Sequence, residues 1–255
     1  GEGSARADEG ATRAERVKTT RVPTNFTRAD MRSIEGAYAD FSGAVMRRAR
    51  LDLAALSNCR FDGAVLTGAS MRSVTFDHIG AWAARCDGVR LSGAVIASNF
   101  TGAAMRHARL RGLTFLRSSL SRADLAHADL GQSGASRASV AVGADLSGSN
   151  LTCASLTFAN LDSARLAGAM LEDADMTGAS LGGATLDGAR ARGVTLDDAV
   201  MTAETTLRGA DLSEASCRDM RAPGSRFDNV RLEDADVRGA VFTGAVFTGA
   251  STAGT

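Results

Sequence analysis

The residues best equipped for chemistry are few. Four cysteines (Cys59, Cys86, Cys153 and Cys217) and three histidines (His78, His107 and His127) are spread along 255 residues. No C-x-x-C pair occurs, so neither a zinc knuckle nor a dithiol redox motif is supported. Cys59, Cys86 and Cys217 occupy positions that the pattern below assigns to the interior, where a thiol acts as a small hydrophobe. Cys153 falls at a corner as an exposed thiol. This usage fits a reducing compartment. His107 and His127 are twenty positions apart, so a twenty-residue coil stacks them. Gly88 and Gly148 are expected at the flanking levels, which leaves no third ligand for a metal. Ser-His-Asp groupings, phosphate loops and nucleotide fingerprints are also absent. We therefore expect no catalytic residues, no cofactor and no metal, and the protein is not expected to be an enzyme.

Charge carries more information. Lys+Arg and Asp+Glu balance at 29 each, but unevenly along the chain. Residues 1–127 hold 19 basic and 12 acidic side chains, and residues 128–255 hold 10 and 17. Arg32, Arg50, Arg72, Arg90, Arg109 and Arg111 map to one side of the coil and form a candidate partner-binding stripe. It is strongest over 85–122, where Asp87 is the single acid among seven arginines. Such a stripe suits an acidic partner or phosphate groups. The plainer reading is a solvated face whose arginines pair with Asp30, Asp52 and Asp129. Trp82 follows the small residue Ala81 and should point outward as an interface anchor, or fold over the gap beside Ala81.

These side chains are positioned by a five-residue phrase that is clearest over Ala144–Val200: Ala, polar, Leu, polar, then Gly or polar. Repetition at a fixed period is the mark of a solenoid, and five fits neither a helical nor a plain strand period. The Leu centre and the Ala two residues before it share the inward face of a short extended piece. The residues after the centre have turn chemistry. Centres run in steps of five from Phe26 to Ile96. One residue is then missing and the next centre is Phe100. The run continues to Ala135 and Val140, gains a residue near Gly143 to resume at Leu146, and gains another near Glu204 to resume at Leu207. Counting phrases in fours stacks Met31, Leu51, Met71, Leu91, Leu110, Leu130, Leu151, Leu171, Ala191, Leu212 and Leu232 on one side. The same count places Phe41 and Phe61 on a second side and Phe227 and Phe247 on a third.

The words Ala123-Asp124-Leu125, Ala128-Asp129-Leu130, Ala144-Asp145-Leu146, Ala159-Asn160-Leu161 and Ala210-Asp211-Leu212 carry a resemblance to the pentapeptide-repeat family, whose consensus is A(D/N)LXX. The resemblance covers roughly 24–252. It implies an all-β fold, a right-handed quadrilateral parallel β-helix of about eleven coils. With coils ~4.8 Å apart the rod would be roughly 50 Å long. Residues 1–22 are polar and charged without the repeat, and read as an N-terminal tail or short cap. Pro23 opens the β-helix domain, 23–255. No apolar run reaches the ~18 residues of a membrane span, and no signal peptide is visible. The chain begins with Gly, as expected of a processed form or an excised domain.

The expected function is a non-enzymatic protein–protein interaction scaffold, a common use of solenoids. The family resemblance extends this to the binding or placement module of a bacterial secreted effector. The alternative it implies is a mimic of duplex DNA that binds type II topoisomerase (gyrase) and protects it from quinolones or toxins. For that role the N-terminal half has the wrong sign, and the C-terminal helix and long loops of such proteins are missing. Direct nucleic-acid binding is not expected, given neutral charge and few exposed aromatics. The partner is a protein of unknown identity, met in the bacterial cytoplasm or in a host cell. A homodimer through the C-terminal coil is a further expectation, with Phe242 and Phe247 as the contact.

Overall fold

The computed structural model describes residues 24–131, 139 and 141–255. The expected tail 1–22, Pro23 and the expected centres Ala135 and Val140 lie outside the described residues.

Each phrase builds the same local structure. The extended residue before a centre bonds to the coils on either side. Arg50 N–H donates to the Ala29 carbonyl and Leu51 N–H to the Ser70 carbonyl, at 2.9 and 2.7 Å. The chain then turns, with the N–H three residues past the centre donating back to the centre's carbonyl, as from Ala54 to Leu51. The residue two past the centre takes a positive φ, whether it is Gly63 at 65° or Cys153 at 54°. That left-handed corner explains the frequency of Gly, Asp and Asn there. Four such corners close one coil.

The result is a right-handed, four-sided parallel β-helix. Continuous strands centre on one face: β1 (Glu35–Ala37), β2 (Ala55–Ser57), β3 (Ser70–Asp77), β4 (Arg90–Ile96) and β5 (Leu113–Leu116), paired in that order over about four turns, with β3 and β4 reaching round a corner to Met71 and Leu91 of the preceding face. Elsewhere coils are joined by single parallel bridges. One ladder climbs through Asn25, Val45, Val65, Arg85, Ala104, Asp124, Asn150, Met170, Arg190, Asp211, Arg231 and Ser251. Centres and their alanines fill the interior as one continuous apolar core.

The registers correct the count of centres in three places. The missing residue lies between Leu91 and Val95. Met71 pairs with Leu91, but Val74 pairs with Gly93. Val95 is therefore the buried centre over Phe76, and Ile96 is half-exposed beside it. The shortened corner works because residue 93 is glycine. Gly93 has φ 112°, and a Cβ there would sit 2.2 Å from the Val74 carbonyl oxygen.

The second correction is larger. Asp129 bridges to Ser155, and Ala141 bonds to the Asn160 carbonyl as centres do. Leu130 and Ala141 are thus consecutive centres eleven positions apart (141 − 130), a gain of six residues where one was expected. Leu130 consequently lies beneath Leu156 and continues to Met176, Leu196, Cys217 and Val237. Leu151, Leu171, Ala191, Leu212 and Leu232 continue instead the side of Leu125. The third correction follows. Phe41, Phe61, Phe227 and Phe247 all belong to a single side. Their rings stack in two pairs, 4.9 Å and 4.8 Å between centroids.

The extra residue near Glu204 falls where expected, since Thr185 bridges to Thr206. It is absorbed by buried Thr205. Its hydroxyl oxygen accepts from Gly183 N–H and Thr202 N–H, at 3.1 and 3.0 Å, and the hydroxyl donates to the Leu181 carbonyl at 2.8 Å.

Candidate functional site

The first face is lined inside by Met31, Leu51, Met71, Leu91, Leu110 and Leu130. Two outward columns flank that ladder. Residues just before the centres give Asp30, Arg50, Ser70, Arg90, Arg109 and Asp129, stacked as bridge partners. Residues just after them give Arg32, Asp52, Arg72, Ser92 and Arg111. The six arginines singled out from sequence therefore share one face.

The aspartates divide them into two groups. Asp30 accepts a two-pronged bond from Arg32, at 2.8 and 2.6 Å, and lies 3.9 Å from Arg50. The Arg32 bond holds the Asp30 carboxyl down at about 2. Asp129 accepts from Arg111 Nε at 2.5 Å. Asp52 is occupied by Ser70 Oγ and the Arg72 backbone N–H, at 2.5 and 2.9 Å. Partial burial works against its charge, but these bonds outweigh it and the carboxyl lies below its ordinary value. No ion pair to the Arg72, Arg90 or Arg109 guanidinium occurs among the described residues. Pairing thus accounts for Arg32 and Arg111, loosely for Arg50, and leaves the middle of the stripe open.

That middle is a groove of about 490 Å³ lined by Arg72, Arg90, Leu91, Ser92, Arg109, Arg111 and Asp129. A second depression of the same size adjoins it, lined by Arg48, Arg50, Asp52, Ser70, Arg72 and Arg90 among others. Arg48 and Ser92 were not among the residues picked from sequence. Arg48 comes from the corner two residues before Arg50, at the border of the same face. Ser92 stands in the column of Arg72 and Arg111, in the corner shortened at Gly93, but carries no charge to mark it in the sequence.

Trp82 does not join this site. It is 59% exposed and points outward, but from the side of Phe61 and Ala81, across the rod from the arginines. Phe242 and Phe247 pack edge-on at 5.2 Å and half-buried in the last described coil, far along the rod.

His107 and His127 stack as expected, with centroids 5.0 Å apart and planes 8° from parallel. The six-residue gain changes what lies above them. His127 N–H donates to the Thr152 carbonyl, so the next corner residue is Cys153, and Gly148 belongs to another corner. No three His, Cys, Asp or Glu side chains assemble into a metal-binding group among the described residues. Cys153 is exposed and the other three cysteines are buried. Burial pushes the Cys86 and Cys217 thiols up to about 12.

The family model for pentapeptide repeats matches the chain in eight copies, over residues 49–78, 98–133, 142–178, 164–202 and 225–251. The chain belongs to the pentapeptide-repeat family. Among solved structures it is similar to HetL, a pentapeptide repeat protein involved in heterocyst differentiation regulation in Nostoc sp. strain PCC 7120. The two are 26% identical over 89% of each chain, with a TM-score of 0.48. It is also similar to QnrB1, a plasmid-mediated fluoroquinolone resistance protein, with 21% identity over 75% of this chain and 89% of that one and a TM-score of 0.42. A pentapeptide repeat protein of the Arabidopsis thaliana thylakoid lumen is 27% identical over 43% of this chain and 59% of its own, with a TM-score of 0.24. No curated protein matches the chain. Among the described residues, no helix is long and apolar enough to cross a membrane.

Proposed function

We infer that the protein is a non-enzymatic interaction scaffold that docks an acidic protein partner on its first face. The observation that carries this reading is the stacked pair Arg90 and Arg109. They are direct bridge partners, and like charges facing each other across adjacent strands repel. Neither has an acidic partner among the described residues. Both point outward into solvent, where an anionic surface from a partner would relieve that repulsion. A rigid parallel ladder holds the guanidinium bases in register, so less order is lost when they bind.

Affinity capture from bacterial and host-cell lysates tests it, comparing the native protein with a variant carrying Arg90→Glu, Arg109→Glu and Arg111→Glu. The expected result is a partner retained by the native protein and lost by a variant with unchanged melting temperature. An identical captured set would overturn the docking role. Capture of a type II topoisomerase through the acidic C-terminal half would support the DNA-mimic reading in its place. In its wider form the proposal makes the rod the placement module of a secreted bacterial effector, which a translocation-reporter fusion would check. A head-to-head dimer through Phe242 and Phe247 belongs to the same proposal. Sedimentation giving a monomer at high concentration would dispose of it.

A further inference from the structure

We propose that the groove between Arg72, Arg90, Arg109 and Arg111 is a phosphate-recognition site for a phosphorylated polypeptide segment. This rests on the docking role above and specifies what the partner presents. Three features of the groove lead to it.

The first is charge. Four guanidinium groups face one carboxylate, Asp129, across the groove. A single partner carboxylate would leave most of that charge uncompensated. A phosphate monoester carries about −1.5 to −2 at neutral pH and three acceptor oxygens. It therefore balances far more of the charge in the same space.

The second is geometry. The four arginines come from two columns and three successive coils. Arg90 and Arg109 stand before the centres Leu91 and Leu110, and Arg72 and Arg111 stand after the centres Met71 and Leu110. Donors thus approach from different sides of the groove. A planar carboxylate meets one guanidinium fork well. A tetrahedral phosphate can take donors from several directions at once. Ser92 adds a further donor: its oxygen accepts from Ser73 N–H at 3.0 Å, which leaves its own O–H to turn toward an anion.

The third is extent. Asp129 and Asp175 follow Arg109 in the same column, and Asp30 and Asp52 lie toward the other end of the face. The basic footprint therefore spans only a few coils. A nucleic-acid strand laid along the rod would run onto these carboxylates. The exposed tryptophan, Trp82, is on the opposite side and gives such a strand no stacking surface there. A short phosphorylated segment fits within the footprint, and clusters of arginine are a recurrent means of reading phosphorylated motifs.

The test uses the full chain, immobilised, and two degenerate peptide pools that differ only in a central phosphoserine or serine. A twelve-nucleotide oligothymidylate serves as competitor. The variants are Arg90→Gln with Arg109→Gln, and, as a control at the far end, Arg226→Gln with Arg231→Gln. Melting temperatures establish that both fold. The expected result is retention of the phosphoserine pool at least tenfold above the serine pool. That preference should be lost at least tenfold in the groove variant and kept in the control. Equal retention of the two pools, with both lost in the groove variant, would overturn phosphate recognition while leaving an acidic docking face intact. Stronger retention of oligothymidylate than of the phosphoserine pool would replace the proposal with nucleic-acid binding. If neither pool binds and lysate capture is insensitive to the arginines, both the phosphate site and the docking role fall.

Discussion

At the scale of single residues, the repeat makes most positions interchangeable and a few irreplaceable. Thr205 is one of the latter. Its hydroxyl ties together three backbone groups at the only site after Leu146 where a phrase has six residues. Thr205→Val keeps the shape and removes those bonds in a dry interior. Leaving such groups unpaired costs about 1–3 kcal/mol each, partly offset where Thr202 Oγ1 also accepts from Gly183 N–H. We expect a loss of about 2–3 kcal/mol, read as a lower denaturant midpoint at unchanged slope, with Thr205→Ser recovering most of it. The cysteines give a second prediction. Three are buried, and in Cys86 and Cys217 burial also suppresses the reactive thiolate. A thiol-reactive dye should therefore titrate one fast group in the native protein, Cys153, and four in denaturant. Loss of the fast phase in Cys153→Ser would identify it, and two fast groups in the native protein would contradict the packing.

At the scale of the coil, glycines two past a centre differ in what they permit. Gly63 has φ 65° and open space around its missing Cβ. Gly63→Ala should cost only the left-handed strain, about 1–2 kcal/mol. Gly93→Ala adds a collision with the Val74 backbone to an unfavourable φ of 112°. It should be clearly more damaging than Gly63→Ala in the same melt, and equal losses would show that the β3–β4 corner relaxes. The contrast also shows what could be read from sequence. The phrase Ala-x-Leu states its own fold because inward and outward positions differ in size and polarity in every repeat. Placing a deletion is harder. Val95 and Ile96 are adjacent β-branched residues that serve equally well as a centre, and hydrophobicity cannot choose between them. Leu130 to Ala141 defeats phrase counting for a similar reason, since a gain of six imitates one phrase plus one residue. The registers of Asp129 with Ser155 resolve it. The arginine stripe survived because all six members precede that gain. The two histidines also stack as expected, but the level above them holds Cys153 in place of Gly148, because that level follows the gain. Ser92 in the groove and Arg48 in the adjoining depression stand where the count of five puts them, one past Leu91 and two before Arg50, but neither side chain carries the repeated arginine signal of the stripe columns.

At the scale of the whole rod, the surface is a lattice of carboxylates held between coils by arginines and hydroxyls. Asp236 receives Arg238 and Arg218 from two levels, and these bonds hold its carboxyl far below the usual range. Arg192 lowers the Glu214 carboxyl, and Ser251 with Ser213 lowers that of Glu233. Asp30 is held at about 2 by Arg32. Each folded value lies below that of the unfolded chain, so the unfolded state takes up protons first as pH falls. The stabilisation is complete above the unfolded values near 3.8 and 4.5, and it is lost as pH drops through the folded ones. The melting temperature should therefore begin to fall below about pH 4.5 and continue falling toward pH 2. These groups are all at least partly open to solvent, so salt should flatten the curve. Asp236→Asn removes the carboxylate that joins two arginines and should lower the melting temperature at pH 7 while reducing the further loss at pH 3. If the variant and native curves stay parallel from pH 7 to pH 2, Asp236 does not contribute through its charge, and the coils are held by the backbone ladder and the apolar interior alone.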